Sequence, residues 1–256
     1  MSPAIETQRL TRAFGDFVAV DGIDLMVERG TFYGFLGPNG AGKSTTIKML
    51  TGLLAPTGGH ISVLGRDMLD PAESLDAKRH VGVVPENLAL FDNLTAREYL
   101  TFVGRMHLLP RDTIRTRSEE LLSLLDLAVD DRKLSFEFSH GMKKKLALAA
   151  ALLPAPELLF LDEPFEGVDA VTSRTIRDLL ANYVGSGSTV FLTSHILELV
   201  ERLCTHVGIV VHGKLVVQSS MTDIRANGSL EQHFLQAAGA DAAVAPNLAW
   251  LEGHSS

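Results

Sequence analysis

Three short stretches carry residues fit for phosphate chemistry. The first is Gly37-Pro38-Asn39-Gly40-Ala41-Gly42-Lys43-Ser44-Thr45, which satisfies every fixed position of the pattern by which a glycine-rich loop cradles phosphates. Glycines let the backbone turn its N–H groups inward on an anion, and a helix opening at the loop adds the positive end of its dipole. Lys43 then reaches the β- and γ-phosphates, and the Ser44 hydroxyl is a ligand for Mg²⁺. The second stretch, Leu158-Leu159-Phe160-Leu161-Asp162-Glu163, is an apolar run that ends in two carboxylates. An acid at such a strand end holds Mg²⁺ in a phosphate-loop NTPase, which suits Asp162, and Glu163 is placed to orient and deprotonate an attacking water. The third is His195, directly after an apolar stretch and Thr193-Ser194.

These residues need strand ends and helix starts on one edge of a sheet, and the surrounding sequence supplies them. Residues 5 to 36 alternate β-formers with turn signals, Gly15-Asp16 and Asp21-Gly22 among them, so an antiparallel β layer feeds a buried strand over 31–36. A helix follows from Lys43 to Leu53, closed by Gly52, Pro56 and Gly58-Gly59, then a strand from His60 to Leu64 and another over Val81–Val84 ended by Pro85. Between Thr95 and Asp126 the period becomes helical, with Thr95 and Glu98 in capping-box spacing. After it, helix 140–153, strand 157–162, helix 170–184, strand 188–193, helix 195–203 and strand 206–211 alternate as in a parallel sheet covered by helices. The expected fold is therefore α/β: a phosphate-loop NTPase parallel sheet, an N-terminal antiparallel β subdomain, and a helical insertion over about 87–153. That unit spans 1–238, and the Ala-rich 239–256 is expected to be a loosely ordered tail.

Composition narrows the partners. The 256 residues carry 23 Lys plus Arg against 31 Asp plus Glu, a formal net charge of −8, so no overall positive field exists to hold a nucleic-acid backbone. Lys143-Lys144-Lys145 is the one basic run considered for such a role; at the start of an amphipathic helix it reads as a solvated face, without the interleaved aromatics of a single-strand binding surface. One cysteine, Cys204, excludes an intramolecular disulfide framework and a Cys-rich zinc site. The other histidines show no metal-ligand spacing. The N-terminal MSPAIETQRL lacks a signal-peptide pattern, and the nearly uncharged Leu146–Leu161 run is cut by Pro154, Pro156 and Glu157. With a mean hydropathy of +0.16, the expectation is a cytoplasmic chain without direct bilayer insertion.

Taken together, GPNGAGKST, ELLFLDEP, the preceding FSHGMKKKLALAAAL, the following EGVD, and LTSH at 192–195 resemble the ATP-binding cassette family of transport ATPases in order and spacing, over about residues 5–236. The resemblance implies ATP and Mg²⁺ as ligands, a membrane permease on a separate chain, peripheral placement on the cytoplasmic membrane face, and two cassettes facing head to tail. The second cassette is another copy of this chain or a homologous subunit. It also implies that Ser139 and Gly141 are signature positions contacting the γ-phosphate across the dimer. The family usually reads Leu-Ser-Gly-Gly-Gln there, whereas this chain has Phe138-Ser139-His140-Gly141-Met142; Ser139 remains a good N-cap and Gly141 still permits close approach. His195 matches a histidine that senses the γ-phosphate. Asp169 matches an inter-subunit aspartate and is equally suited to cap a helix.

Glu86 stands where the family more often has a glutamine that contacts Mg²⁺ and couples to the permease. Phe14 matches the aromatic that stacks on adenine, usually tyrosine, with Phe17 as its rival and a core role as the plain alternative. Glu86, the His140-Gly141-Met142 variant and the segment 229–234 resemble exporter cassettes. The expected function is ATP hydrolysis coupled to transport, in the export direction. A soluble cassette ATPase of assembly, translation or DNA repair is the alternative, though such chains usually carry tandem cassettes, coiled-coil arms or zinc motifs absent here. A regulator that binds but does not hydrolyse nucleotide is a third reading, disfavoured by the presence of Lys43, Glu163 and His195.

Overall fold

The computed structural model describes residues 2–128 and 132–239, so from residue 240 onward the expected tail lies outside the described residues. Strands β1 (Ile5–Phe14) and β2 (Phe17–Val27) form a hairpin through the Gly15-Asp16 turn, and β3 (Phe32–Leu36) leads to the phosphate loop and helix α1 (Lys43–Leu50). Then come β4 (Gly58–Val63), β5 (Arg66–Asp67), α2 (Pro71–Arg79) and β6 (Val81–Val84). The helical insertion holds α3 (Ala96–Met106) and α4 (Arg111–Leu124), and α5 (His140–Leu152) returns the chain to the core. The remainder alternates β7 (Leu158–Asp162), α6 (Ala170–Gly185), β8 (Thr189–Ser194), α7 (Leu197–Leu203) and β9 (His206–Val211), ending in β10 (Lys214–Ser220), α8 (Met221–Ala226) and α9 (Leu230–Ala237).

Two sheets organise these elements. The antiparallel sheet runs β2-β1-β4-β5, and the six-stranded one runs β10-β9-β3-β8-β7-β6. Within the second, β9, β3, β8, β7 and β6 are parallel and only β10 pairs antiparallel on the edge. The expected α/β architecture with an N-terminal antiparallel layer is thus observed. Strands β3, β7 and β8 are buried along their whole length, as continuous apolar runs covered on both faces must be. Aromatic rings at the sheet centre fill one side, Tyr33 stacked on Phe191 at 5.6 Å and Phe160 tilted against Phe191 at 5.5 Å. The Asp21 N–H donates to the Gly213 carbonyl at 2.8 Å, and the Met26 N–H to Gln218 Oε1 at 3.3 Å, so the two sheets are bonded to each other.

Helix α2 was not foreseen from the sequence. Its signal is local and polar: Asp70 accepts from the N–H groups of Ala72 and Glu73, with Pro71 at the first helical position. A search for apolar periodicity passes over a helix that buries only Ser74 and Ala77. The Thr95–Glu98 capping box is present as read, and at the end of α4 Leu122 and Leu125 are buried whereas Leu124 is 52% exposed.

Candidate functional site

The phosphate loop is a strand-to-helix turn held open by its glycines. Gly42 has φ +102° and a Cβ there would lie 2.4 Å from the Ala19 carbonyl oxygen, so only glycine fits. It caps α1 without any side-chain cap, which leaves the helix's first N–H groups directed at whatever lies in the loop. The Lys43 ammonium folds back on the loop, donating to the Gly37 carbonyl at 2.7 Å and the Pro38 carbonyl at 3.3 Å. Asn39, Gly40, Ala41, Gly42, Lys43, Ser44 and Thr45 line a cavity of about 370 Å³ together with Phe17, Ala19, Glu86 and Glu163.

The acids arrive from β7, beside β8. Asp162 is 4% exposed and Thr193 fully buried; the Thr193 hydroxyl donates to Asp162 Oδ1 at 2.5 Å and accepts from the Glu163 N–H at 3.2 Å. The register Asp162↔Thr193 across the parallel pair makes this contact. Glu163 has φ +48°, a left-handed conformation unfavourable for a non-glycine residue. This sharp bend at the strand end brings its carboxylate between two nitrogen groups: Oε2 lies 3.1 Å from His195 Nδ1 and Oε1 lies 4.0 Å from Lys43 Nζ. His195 is half exposed. With its proton on Nδ1 the imidazole donates to Glu163 and leaves Nε2 as an acceptor.

Thus Lys43, Glu163 and His195, each singled out from the sequence, meet at one point, with Ser44 and Glu86 on the same cavity and the buried Asp162 one residue before Glu163. All the candidate metal donors are oxygen atoms, from Ser44, Asp162 and Glu86, as a hard cation requires. Among the described residues no group of three or more His, Cys, Asp or Glu side chains is gathered to hold an ion by itself.

The signature segment and Asp169 stand together elsewhere. Ser139 caps α5, its hydroxyl accepting from the Met142 N–H at 3.2 Å. A Cβ on Gly141 would lie 4.0 Å from Asp169 Oδ2, and one on Gly167 would lie 2.8 Å from the His140 ring. Asp169 caps α6, accepting from the Val171 and Thr172 N–H groups; those bonds, Thr172 foremost, hold its carboxyl below the usual range. The capping alternative read for Asp169 is therefore real.

Two placements depart from the sequence reading. Phe17, not Phe14, lines the loop cavity; Phe14 is paired opposite it in the hairpin and carries the Arg12 guanidinium 4.5 Å from its ring centre. The lysine run is not uniformly solvated: Lys144 is 2% exposed and its ammonium donates to the Glu163 carbonyl at 2.5 Å. The reason is periodicity. From Lys144, the spacings i+3, i+4 and i+7 fall on Ala147, Leu148 and Ala151, all buried in one cluster. Burial pushes the Lys144 ammonium down in pKa, opposed by Glu166, Glu163, Glu86 and Asp162.

A second cavity, of about 450 Å³, separates the sheet edge from the helical insertion, lined by Val81, Val83, Leu88, Tyr99 and Val103 among others. Among the described residues no helix is long and apolar enough to cross a membrane.

Comparison with known proteins matches residues 20–166 to a family described as "ABC transporter". The chain is similar to the daunorubicin resistance ATP-binding protein DrrA3 of Streptomyces coeruleorubidus, 38% identical over 87% of this chain and 70% of that protein. It is 37% identical to the linearmycin resistance ATP-binding protein LnrL of Bacillus subtilis (strain 168), over 86% of this chain and 70% of that one. A solved structure of an ATP-binding subunit of an ABC transporter superposes with a TM-score of 0.84 at 29% identity, covering 91% of this chain and 98% of that one.

Proposed function

The chain belongs to the ABC transporter family, and from that premise we propose that it hydrolyses ATP to drive a separate membrane permease, with export as the direction of transport. The observation that carries the hydrolytic part is the Glu163 carboxylate, buried at the end of β7 and held between His195 and Lys43 at the mouth of the phosphate loop. The α1 N-terminus and Lys43 bind the phosphates, and for this Lys43 exchanges its loop carbonyls for phosphate oxygens. Phe17, which lines the cavity, stacks on the adenine in place of Phe14. Ser44, Asp162 and Glu86 would hold Mg²⁺, which when bound neutralises phosphate charge and fixes the phosphate oxygens in place.

Glu163 accepts a proton from a water aligned with the γ-phosphorus; the resulting hydroxide bonds to phosphorus as the bond to the ADP oxygen breaks. His195 keeps the carboxylate aimed, its ring nitrogen 3.1 Å away. Ser139 and Gly141 lie on α5, outside the residues that line the loop cavity. In this reading they serve a nucleotide on a second cassette, so the working unit is a pair. The apolar cleft beside the helical insertion takes a cytoplasmic segment of the permease, and the resistance functions named for the two bacterial relatives support export.

Steady-state phosphate release by Glu163→Gln tests this reading. Turnover is expected to fall by on the order of 10²–10⁴ while ATP binding persists, the usual worth of a general base. Undiminished hydrolysis would remove Glu163 from the mechanism.

A further inference from the structure

Glu163 is fixed at four points, and three belong to groups already assigned: Thr193 takes its N–H, His195 and Lys43 flank its carboxylate. The fourth is its carbonyl oxygen, which receives the Lys144 ammonium at 2.5 Å. Lys144 lies in the second turn of α5, the helix that Ser139 caps, and its stem is packed in the apolar stripe that docks α5 on the core. An ammonium so enclosed, 2% exposed, loses much hydration and needs a strong acceptor in return. The Glu163 carbonyl, just past the end of β7, offers one, and it also accepts from the Glu166 N–H at 3.3 Å.

We infer that Lys144 is a positioning residue for the general base: its ammonium, by holding the Glu163 carbonyl, keeps the left-handed bend that aims the carboxylate at the attacking water. The same contact ties α5 rigidly to the hydrolytic residue of its own chain. A displacement of the Ser139 end of α5 therefore shifts Glu163. In a paired arrangement, that links the nucleotide touched by a chain's Ser139 to the one hydrolysed by its Glu163. The inference rests on the reading of Glu163 as general base.

The test uses the full chain. Lys144→Met keeps the unbranched apolar stem and removes the donor, and Lys144→Arg restores a cationic donor. With Lys144→Met, kcat for ATP hydrolysis should fall roughly 10- to 100-fold, the scale of an ångström-sized misplacement of a reacting group, while KM for ATP stays within about twofold, as for an interaction made mainly in the transition state. Lys144→Arg should recover most of the loss. In a Glu163→Gln background the same substitution should lower the residual rate little further, since no base remains to be aimed. An unchanged kcat, a change confined to KM, or an equal loss in the Glu163→Gln background would overturn the inference. If the Met form does not fold, Lys144→Leu, which likewise carries no donor, is judged by the same criteria. Loss with Glu163→Gln but none at Lys144 defeats this inference alone, whereas full activity of Glu163→Gln defeats the underlying reading and this inference with it.

Discussion

Thr193→Val should unsettle both acids at once. The hydroxyl of this fully buried residue donates to Asp162 Oδ1 at 2.5 Å and accepts from the Glu163 N–H at 3.2 Å. Valine keeps the β-branched shape and suits a central strand, so the substitution chiefly removes the hydroxyl and its two hydrogen bonds. A hydrogen bond to a buried carboxylate is worth about 1.5–3 kcal/mol, and an N–H left without a partner costs about 1–3 kcal/mol. Allowing for partial relaxation, a loss of about 3 kcal/mol follows, or a drop in Tm of roughly 6–12 °C for a chain of this length. Turnover should fall about 10-fold or more, because Asp162 and Glu163 both lose an anchor. Urea denaturation followed by tryptophan-independent circular dichroism gives the first quantity, and a phosphate-release assay below the melting range gives the second. Thr193→Ser, which keeps the hydroxyl, should restore most of each. If Thr193→Val costs less than about 1 kcal/mol and leaves kcat intact, the reasoning that one hydroxyl organises the strand ends is wrong.

Lys43→Ala should weaken ATP binding itself, by roughly tenfold or more for loss of a charge-assisted phosphate contact; calorimetry showing unchanged affinity would displace the phosphates from this loop. Phe17→Ala should cost about 1 kcal/mol of adenine-nucleotide affinity, and Phe14→Ala much less; the reverse order, by the same titration, would return the stacking role to Phe14. Mixing inactive Lys43→Ala with inactive Ser139→Arg should recover part of the ATPase activity, since a mixed pair joins one intact loop to one intact signature. ATP-dependent dimerisation of Glu163→Gln, followed by light scattering, checks the same point, and a chain that stays monomeric with saturating ATP and Mg²⁺ would argue against self-pairing.

The site was legible where its chemistry is written in contiguous residues. The phosphate loop, the acid pair after an apolar run and His195 after another all sit at strand ends, and period-2 or continuous apolar patterns locate such ends well. What stayed hidden depends on contacts between distant segments. That Thr193 bridges Asp162 and Glu163 follows from strand order and register, which no local pattern encodes. Phe14 and Phe17 both flank a two-residue turn, and only the curl of the hairpin over the loop separates them. Lys144 was masked by its neighbours: a run of three like charges reads as one solvated surface, although Ala147, Leu148 and Ala151 already place the middle lysine on the buried stripe. Helix α2 escaped because its start is set by Asp70 and Pro71 rather than by an apolar face.

The backbone at Glu163 also bears on how the chain can change. A left-handed φ at a residue with a Cβ costs on the order of 1–2 kcal/mol, and glycine or asparagine would relieve it. Selection for thermal robustness alone would therefore drift towards those residues here, and only the demand for turnover opposes it. Glutamine has a Cβ and lacks the short side chain by which asparagine hydrogen-bonds locally in this conformation, so it keeps the strain, whereas glycine sheds both the strain and the carboxylate. A lineage that loses hydrolysis should thus settle on glycine or asparagine at this position, and its cassette would be sturdier for having given up its chemistry.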